Sequence, residues 1–438
     1  MKYFGTDGIR QSADKFTTDF INAIITGLAD YAGTDKKVLI GGDTRESSEW
    51  ILQDIASALE SLGFEYASVG VLPTPAINHC FYVMGFDFAI DVTASHNPFY
   101  DNGIKIFERG AKSGIKLSEA GCEAIEKALD EHKTVNLVAT TDRADLHDEA
   151  VTIYKEHLLK YLGEVDFSGL KIGMDCANGA MSVIGGAVFE KLGAAVQVIF
   201  ADAEYGKGIN DGCGSTHLEK LKSLVRENEL DFGIAYDGDG DRTLLVDAEG
   251  REVDGDEIIA ILADYLGLDK IAITVMANQG IINWAEAHKI HAEITAVGDS
   301  NVAEAMRLYG IEIGGEQSGH IILPGEPTGD GMLTSLMVAK VVAKTSKGLS
   351  ELAQIITKFP QVIVNMPATP EQKQALKESE QAKKLLLEYD EKLKAVDGRL
   401  LVRPSGTEAI IRITMWGKDE HEIDNLAQDL KDKLGETL

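Results

Sequence analysis

VLIGGDTRESSEWILQDIASALESL, residues 38–62, passes from a short apolar run through a turn of small residues into an amphipathic pattern. Residues 38–40 predict a strand, GGDT a tight turn, and residues 47–62 a helix. The same grammar returns twice. Residues 170–174 lead through DCANG into a helix over 181–192, and residues 271–275 lead through MANQG into a helix over 280–287. One strand-turn-helix unit used three times, at intervals of roughly 100 to 130 residues, predicts an α/β protein. Beyond residue 360 the pattern changes to a strand (362–366), one long charged helix (370–393), a strand or hairpin (399–415) and a last amphipathic helix (420–434). That order predicts a smaller α+β unit. Polar stretches at 140–149, 249–254 and 367–371 separate the parts, so the expected domains are residues 1–148, 149–251, 252–366 and 367–438.

Size and charge bound the function. A chain of 438 residues is too long for a single core, since domains hold roughly 100 to 200 residues. Its 71 acidic and 42 basic residues leave a formal net charge of -29, which opposes binding to nucleic acid or to anionic membranes. An anionic substrate could bind only where cations or helix N-termini reverse the local field. The N-terminal MKYFGTDGIR carries no apolar signal segment and no window approaches the roughly 20 apolar residues of a membrane span, so the cytoplasm is expected. Cys80, Cys122, Cys176 and Cys213 lie far apart and form no CxxC, which supports neither a disulfide scaffold nor a cysteine-rich zinc site.

The strongest chemical signal is AYDGDGDRTLLVD, residues 235–247. Asp237, Asp239 and Asp241 alternate with glycines, so the backbone can fold until three carboxylates converge on one hard cation. An EF-hand would need glycine at its sixth place and glutamate at its twelfth; Arg242 and Ala248 stand there instead. Arg242 follows the carboxylates directly and is suited to a phosphate that also touches the metal. LLVRPSGTEAIIRI, residues 400–413, offers Arg403, Ser405, Gly406, Thr407 and Arg412, the guanidinium forks, hydroxyls and backbone N–H groups a phosphate dianion needs; an ordinary turn with solvated arginines is the competing reading. GGEQSGHIILPGEPTGDG, residues 314–331, presents Glu316, Ser318 and His320 in a glycine-framed loop suited to sugar hydroxyls. TASHNPFYDNGIKIF, residues 93–107, has too many turn residues for a helix and too little alternation for a plain strand, and reads as a functional loop around Ser95.

Taken in order, FGTDGIR (4–10), TASHNP with DNGIK (93–105), INDGCGSTH (209–217), DGDGDR (237–242), GGEQSGH (314–320) and RPSGTE (403–408) resemble the motifs of the α-D-phosphohexomutase superfamily across nearly the whole chain. Gln317, the INDGCGSTH segment and the FGTDGIR start are most similar to the branch acting on glucosamine phosphates. Pro404 sides with the phosphomannomutase pattern, while Gln11, Ser300 and Ala409 are further departures that leave the serine and aspartate sets intact.

The resemblance implies three related α/β domains and a smaller C-terminal α+β domain around a central active-site cleft. It implies that Ser95 carries a phosphoryl group, gives it to a hexose 6-phosphate and recovers the other phosphoryl from a 1,6-bisphosphate. The substrate would be a phosphorylated hexosamine, the primer and intermediate glucosamine 1,6-bisphosphate, and the product a supply for UDP-N-acetylglucosamine and cell-wall precursors. Asp237, Asp239 and Asp241 would hold one Mg2+, with Ser95 completing its shell. Lys105, with a pKa lowered by its apolar neighbours Ile104 and Ile106, and His320 would be the candidates for proton transfer. Arg10 and His96 would line the same centre, Glu316 and Ser318 would meet the sugar, and Arg403, Ser405, Gly406, Thr407 and Arg412 would clamp the non-reacting phosphate. A homodimer is an option for assembly. Rival readings are a phosphomannomutase or phosphoglucomutase, a metal-dependent sugar phosphatase that releases inorganic phosphate, and a sugar-phosphate sensor; a serine hydrolase lacks its GxSxG elbow.

Overall fold

A computed structural model describes residues 1–5, 7–138, 144–405 and 409–438. The chain forms two compact units, one of residues 1–274 with 295–354 and the other of residues 275–294 with 355–438.

The first unit carries the α/β grammar. Lys37–Gly42 is a strand buried over its last five residues, and Glu46–Leu62 is the helix that follows it. In the sheet Lys37–Gly42 lies between Glu65–Val71 and Phe88–Val92, parallel to both. Parallel strands covered on both faces read as continuous apolar runs, which is why VLI needed no alternation to be recognised. Asp101–Arg109 then pairs antiparallel with Phe88–Val92, and Gly8–Ser12 pairs with its other edge. The loop reading of residues 93–107 therefore holds only to residue 100. Asp101–Arg109 is a strand, buried from Asn102 to Phe107, and its two-sided burial hides the period-2 signal.

The second turn, DCANG, follows the strand Lys171–Asp175 and leads through a 3-10 turn, Ala180–Val183, into the short helix Gly185–Lys191. Lys171–Asp175 pairs parallel with both Ala195–Ile199 and Phe232–Tyr236. Phe232–Tyr236 turns antiparallel onto Thr243–Asp247, so the DGDGD stretch is the connection of a buried hairpin. Lys270–Thr274 pairs parallel with Ile313–Gly315, which pairs antiparallel with Ile321–Ile322. Among the described residues no helix is long and apolar enough to cross a membrane.

The second unit has a three-stranded antiparallel sheet with Ile410–Trp416 between Gln361–Pro367 and Arg399–Pro404. Its core joins Met366, Tyr389, Leu393, Ile411, Ile413, Met415, Ile423 and Leu430. The single long helix expected over 370–393 is two helices, Pro370–Glu378 and Glu380–Lys394. Ser379 separates them in an extended conformation, and its side chain accepts from Ala382 N–H, capping the second helix. The helix Gln279–His288, capped by Asn278, also belongs to this unit.

Candidate active site

Ser95 sits just past the carboxyl end of the buried strand Phe88–Val92, the edge at which open α/β sheets bind their ligands. It is fully buried and its φ is 53°, in the left-handed region that non-glycine residues seldom occupy. Its hydroxyl donates to Asp237 Oδ2 at 2.7 Å, which joins the first sheet's loop to the DGDGD turn. His96 Nδ1 lies 3.3 Å from the same hydroxyl and accepts from Arg242 Nη1 at 2.9 Å. Burial first, then the cations of Arg242 and Arg10, push His96 down to about 4, so it is neutral at physiological pH.

Asp237, Asp239 and Asp241 are all buried, and one carboxylate oxygen from each lies within 4.8 Å of the others. Among the described residues Asp239 Oδ1 and Asp241 Oδ1 are buried without a hydrogen-bond partner. Burial and then repulsion from Asp239 and Asp241 push Asp237 well above the ordinary carboxylate range. Three converging carboxylates with orphaned oxygens fit a hard divalent cation, and the cluster could bind a metal.

Lys105 corrects one expectation. Its Nζ lies 2.7 Å from Asp239, 3.0 Å from Asp241 and 2.9 Å from Asp7. Burial pulls its pKa down, but the three carboxylates outweigh burial and hold it well above the ordinary lysine value. The apolar neighbours Ile104 and Ile106 did not decide the matter, because the lysine's own face of the strand meets carboxylates.

Asp7 is a hub that sequence motifs contained but did not single out. Burial pushes it up, yet Lys105, Lys116 and Arg10 overcome that and hold it well below the usual range. Arg10 Nη2 is 2.6 Å and Lys116 Nζ 2.7 Å from its carboxylate, and Lys116 continues to Asp299. Gly8 makes the approach possible: a Cβ there would stand 2.3 Å from Ile104 O. Thr74 is a second missed residue, its hydroxyl 2.8 Å from Asp239 Oδ2 and also within hydrogen-bond distance of Asp91 Oδ2. No local pattern marks it.

His320 forms an isolated bridge with Arg242, and its Nε2 accepts from Gly329 N–H at 3.3 Å and lies 3.7 Å from Asp299. Its Nδ1 is buried without a partner among the described residues. Glu316 Oε1 accepts from Gly298 N–H, Gln317 donates to the helix cap Asp254, and Ser318 is exposed. Next to Lys105 and Lys116 a cavity of about 920 Å³ opens, lined also by Asp7, Ser300 and Arg307.

In the second unit Arg403 and Arg412 stand directly opposite each other on antiparallel strands. Burial and the facing Arg412 lower the pKa of Arg403, and Arg403 Nε is buried without a partner among the described residues. Arg412 Nε donates to Asn365 at 3.1 Å, and Ser405 N–H donates to Ile410 O at 2.9 Å. Two facing cations destabilise a ladder unless an anion joins them. Gly406 and Thr407 lie outside the described residues.

The chain belongs to the phosphoglucomutase/phosphomannomutase family. Models of its α/β/α domains I, II and III match residues 1–136, 153–250 and 254–359, and its C-terminal domain matches 362–433. It is thus a phosphohexomutase, an isomerase with a four-domain α/β fold. It is 42% identical over 455 residues to a phosphoglucosamine mutase of Caldicellulosiruptor saccharolyticus, covering 99% of each chain. A phosphoglucosamine mutase of Clostridioides difficile is 38% identical over 450 residues, covering 100% of this chain and 99% of that one. A phosphoglucomutase/phosphomannomutase family protein of Burkholderia thailandensis superimposes with a TM-score of 0.75 at 19% identity, over 98% of this chain and 96% of that one, a likeness of fold.

Proposed function

We propose that the chain interconverts glucosamine 6-phosphate and glucosamine 1-phosphate through a phosphoserine at Ser95 and a 1,6-bisphosphate. The observation that carries this is the Ser95 hydroxyl, buried 2.7 Å from Asp237 among Lys105, Arg242 and the other two aspartates. The relatives named phosphoglucosamine mutase at 38–42% identity over the full length support the amino sugar.

In the forward step the Ser95 Oγ–P bond breaks and a bond forms between phosphorus and a sugar hydroxyl oxygen, whose proton passes to a base. The reverse step rebuilds phosphoserine from the other end of the bisphosphate. Such transfers pass through a loose transition state, so the protein positions the partners and neutralises charge. Mg2+ held by Asp237, Asp239 and Asp241, with an oxygen on Ser95, would supply that neutralisation at the moving group. Lys105 and Arg242 add fixed positive charge from the protein. Lys105, kept protonated by its carboxylates, is suited to stabilising charge; His320, with one ring nitrogen engaged by Gly329 and the other without a partner among the described residues, is suited to moving the proton. Arg10 and His96 line the centre, Glu316 and Ser318 would meet the sugar hydroxyls, and the Arg403 and Arg412 pair with Ser405 offers charge for a phosphate dianion.

A preference for mannose or glucose phosphates is the second reading, favoured by Pro404. Side-by-side turnover of glucosamine, mannose and glucose phosphates, each primed with a trace of its bisphosphate, separates the two. The highest kcat/KM should belong to glucosamine; a higher value for another sugar overturns the assignment. A phosphatase would release inorganic phosphate steadily in the same assay.

A further inference from the structure

We propose, on the reading just given, that Asn210 and Arg45 are positioning residues that hold Ser95 in its left-handed conformation and so aim its hydroxyl for phosphoryl transfer. Nothing in the motif chemistry above uses either side chain. Yet both end on the same two carbonyls. Asn210 Nδ2 donates to Ser95 O at 2.8 Å and to Asn97 O at 3.1 Å. Arg45 Nη2 donates to Ser95 O and to Asn97 O, each at 2.9 Å. Arg45 is itself buried; its Nη1 takes Asp101 O at 3.0 Å and Pro98 O, and its Nε takes Asp43 Oδ2 at 2.8 Å.

A non-glycine backbone in the left-handed region is disfavoured and persists only where its surroundings over-determine it. Here two donors from distant segments occupy the Ser95 carbonyl, so the peptide plane that follows Ser95 cannot rotate. With that plane fixed, and Ser95 N–H donating to Thr93 Oγ1 at 2.9 Å, the Cα–Cβ direction of Ser95 is set. Asn210 is strained too, with φ 57°, and its N–H is held on Ala177 O, another left-handed residue. The metal loop is shaped around this clamp. A Cβ on Gly238, between Asp237 and Asp239, would stand 2.6 Å from Ser95 O and 2.9 Å from Asn210 Nδ2. The amide suits the task because both donated bonds come from one NH2 group, which a carboxylate of the same size cannot supply.

The test uses the full chain with Asn210→Ala and Asn210→Asp, and Arg45→Lys as a third variant that keeps the buried charge. Misplacing a nucleophile by a fraction of an ångström to an ångström costs up to about 100-fold. Expected are kcat values about 10- to 100-fold lower in both Asn210 variants with KM within about twofold of wild type. The single-turnover rate of Ser95 phosphorylation by glucosamine 1,6-bisphosphate, followed by intact mass, should fall by the same factor while circular dichroism is unchanged. Arg45→Lys, which loses the fork, should show the same kcat-selective loss. Wild-type kcat in both Asn210 variants, or a loss explained wholly by KM or by the unfolded fraction, overturns the proposal. Wild-type enzyme that turns over substrate without ever carrying phosphoryl on Ser95 instead overturns the reading on which it rests.

Discussion

The Ser95 centre and the Arg403–Arg412 hairpin are both buried or half-buried charged sites, but they balance charge in opposite ways. At Ser95, Lys105, Arg10, Arg242 and Lys116 are interleaved with aspartates, and among the described residues one buried carboxylate oxygen on each of Asp239 and Asp241, together with Nε of Arg10 and of Arg242, lacks a hydrogen-bond partner. At the hairpin two guanidiniums face each other across a ladder, and burial and then the facing Arg412 lower the pKa of Arg403. Desolvated charge is tolerated only when something opposite completes it. On the proposed function a cation would complete the first site and an anion the second. That contrast explains how a chain of net charge -29 can handle a phosphorylated sugar.

The comparison can be broken at several points. Ser95→Ala should lower turnover by at least about 1,000-fold while substrate still binds, as measured by a coupled assay and by calorimetry. Near-normal turnover would remove the serine from the reaction. Asp239→Ala should weaken Mg2+ binding at least about 100-fold and lose turnover with it, because an orphaned oxygen of the cluster and a partner of Lys105 disappear together. Unchanged Mg2+ affinity in titration calorimetry would place the cation elsewhere. Arg412→Ala should mainly raise KM, by a charged contact of about 1.5–3 kcal/mol, or roughly 10- to 150-fold.

A smaller effect comes from a group outside both regions. Burial first, then the neighbouring His157, push His79 from 6.5 down to about 4. The unfolded chain binds the proton more readily than the folded one between those values, so stability contributed by His79 falls as pH drops from about 6.5 toward 4. His79→Phe should flatten that part of the urea-midpoint profile, and an unaltered slope would show that His79 is not the group titrating.

Legibility in the sequence followed locality. The strand-turn-helix units were readable because apolar periodicity and turn chemistry are properties of neighbours along the chain. Asp237, Asp239 and Asp241 were readable for the same reason, five residues being enough to bring three carboxylates together. The break at Ser379 was hidden because a serine flanked by charged helix formers can be either a helical residue or a cap. The strand Asp101–Arg109 was hidden because burial on both faces erases alternation.

What the sequence by itself determined is the α/β grammar, the motif series and the identity of the serine and the aspartates. Tertiary structure alone decided their company. Lys105 meets Asp239 from 134 positions away and Asn210 meets Ser95 from 115, and no local pattern encodes either distance. Because proton affinity and backbone strain depend on what lies within a few ångströms rather than a few residues, the lysine's raised pKa and the serine's clamped carbonyl exist only in the folded chain.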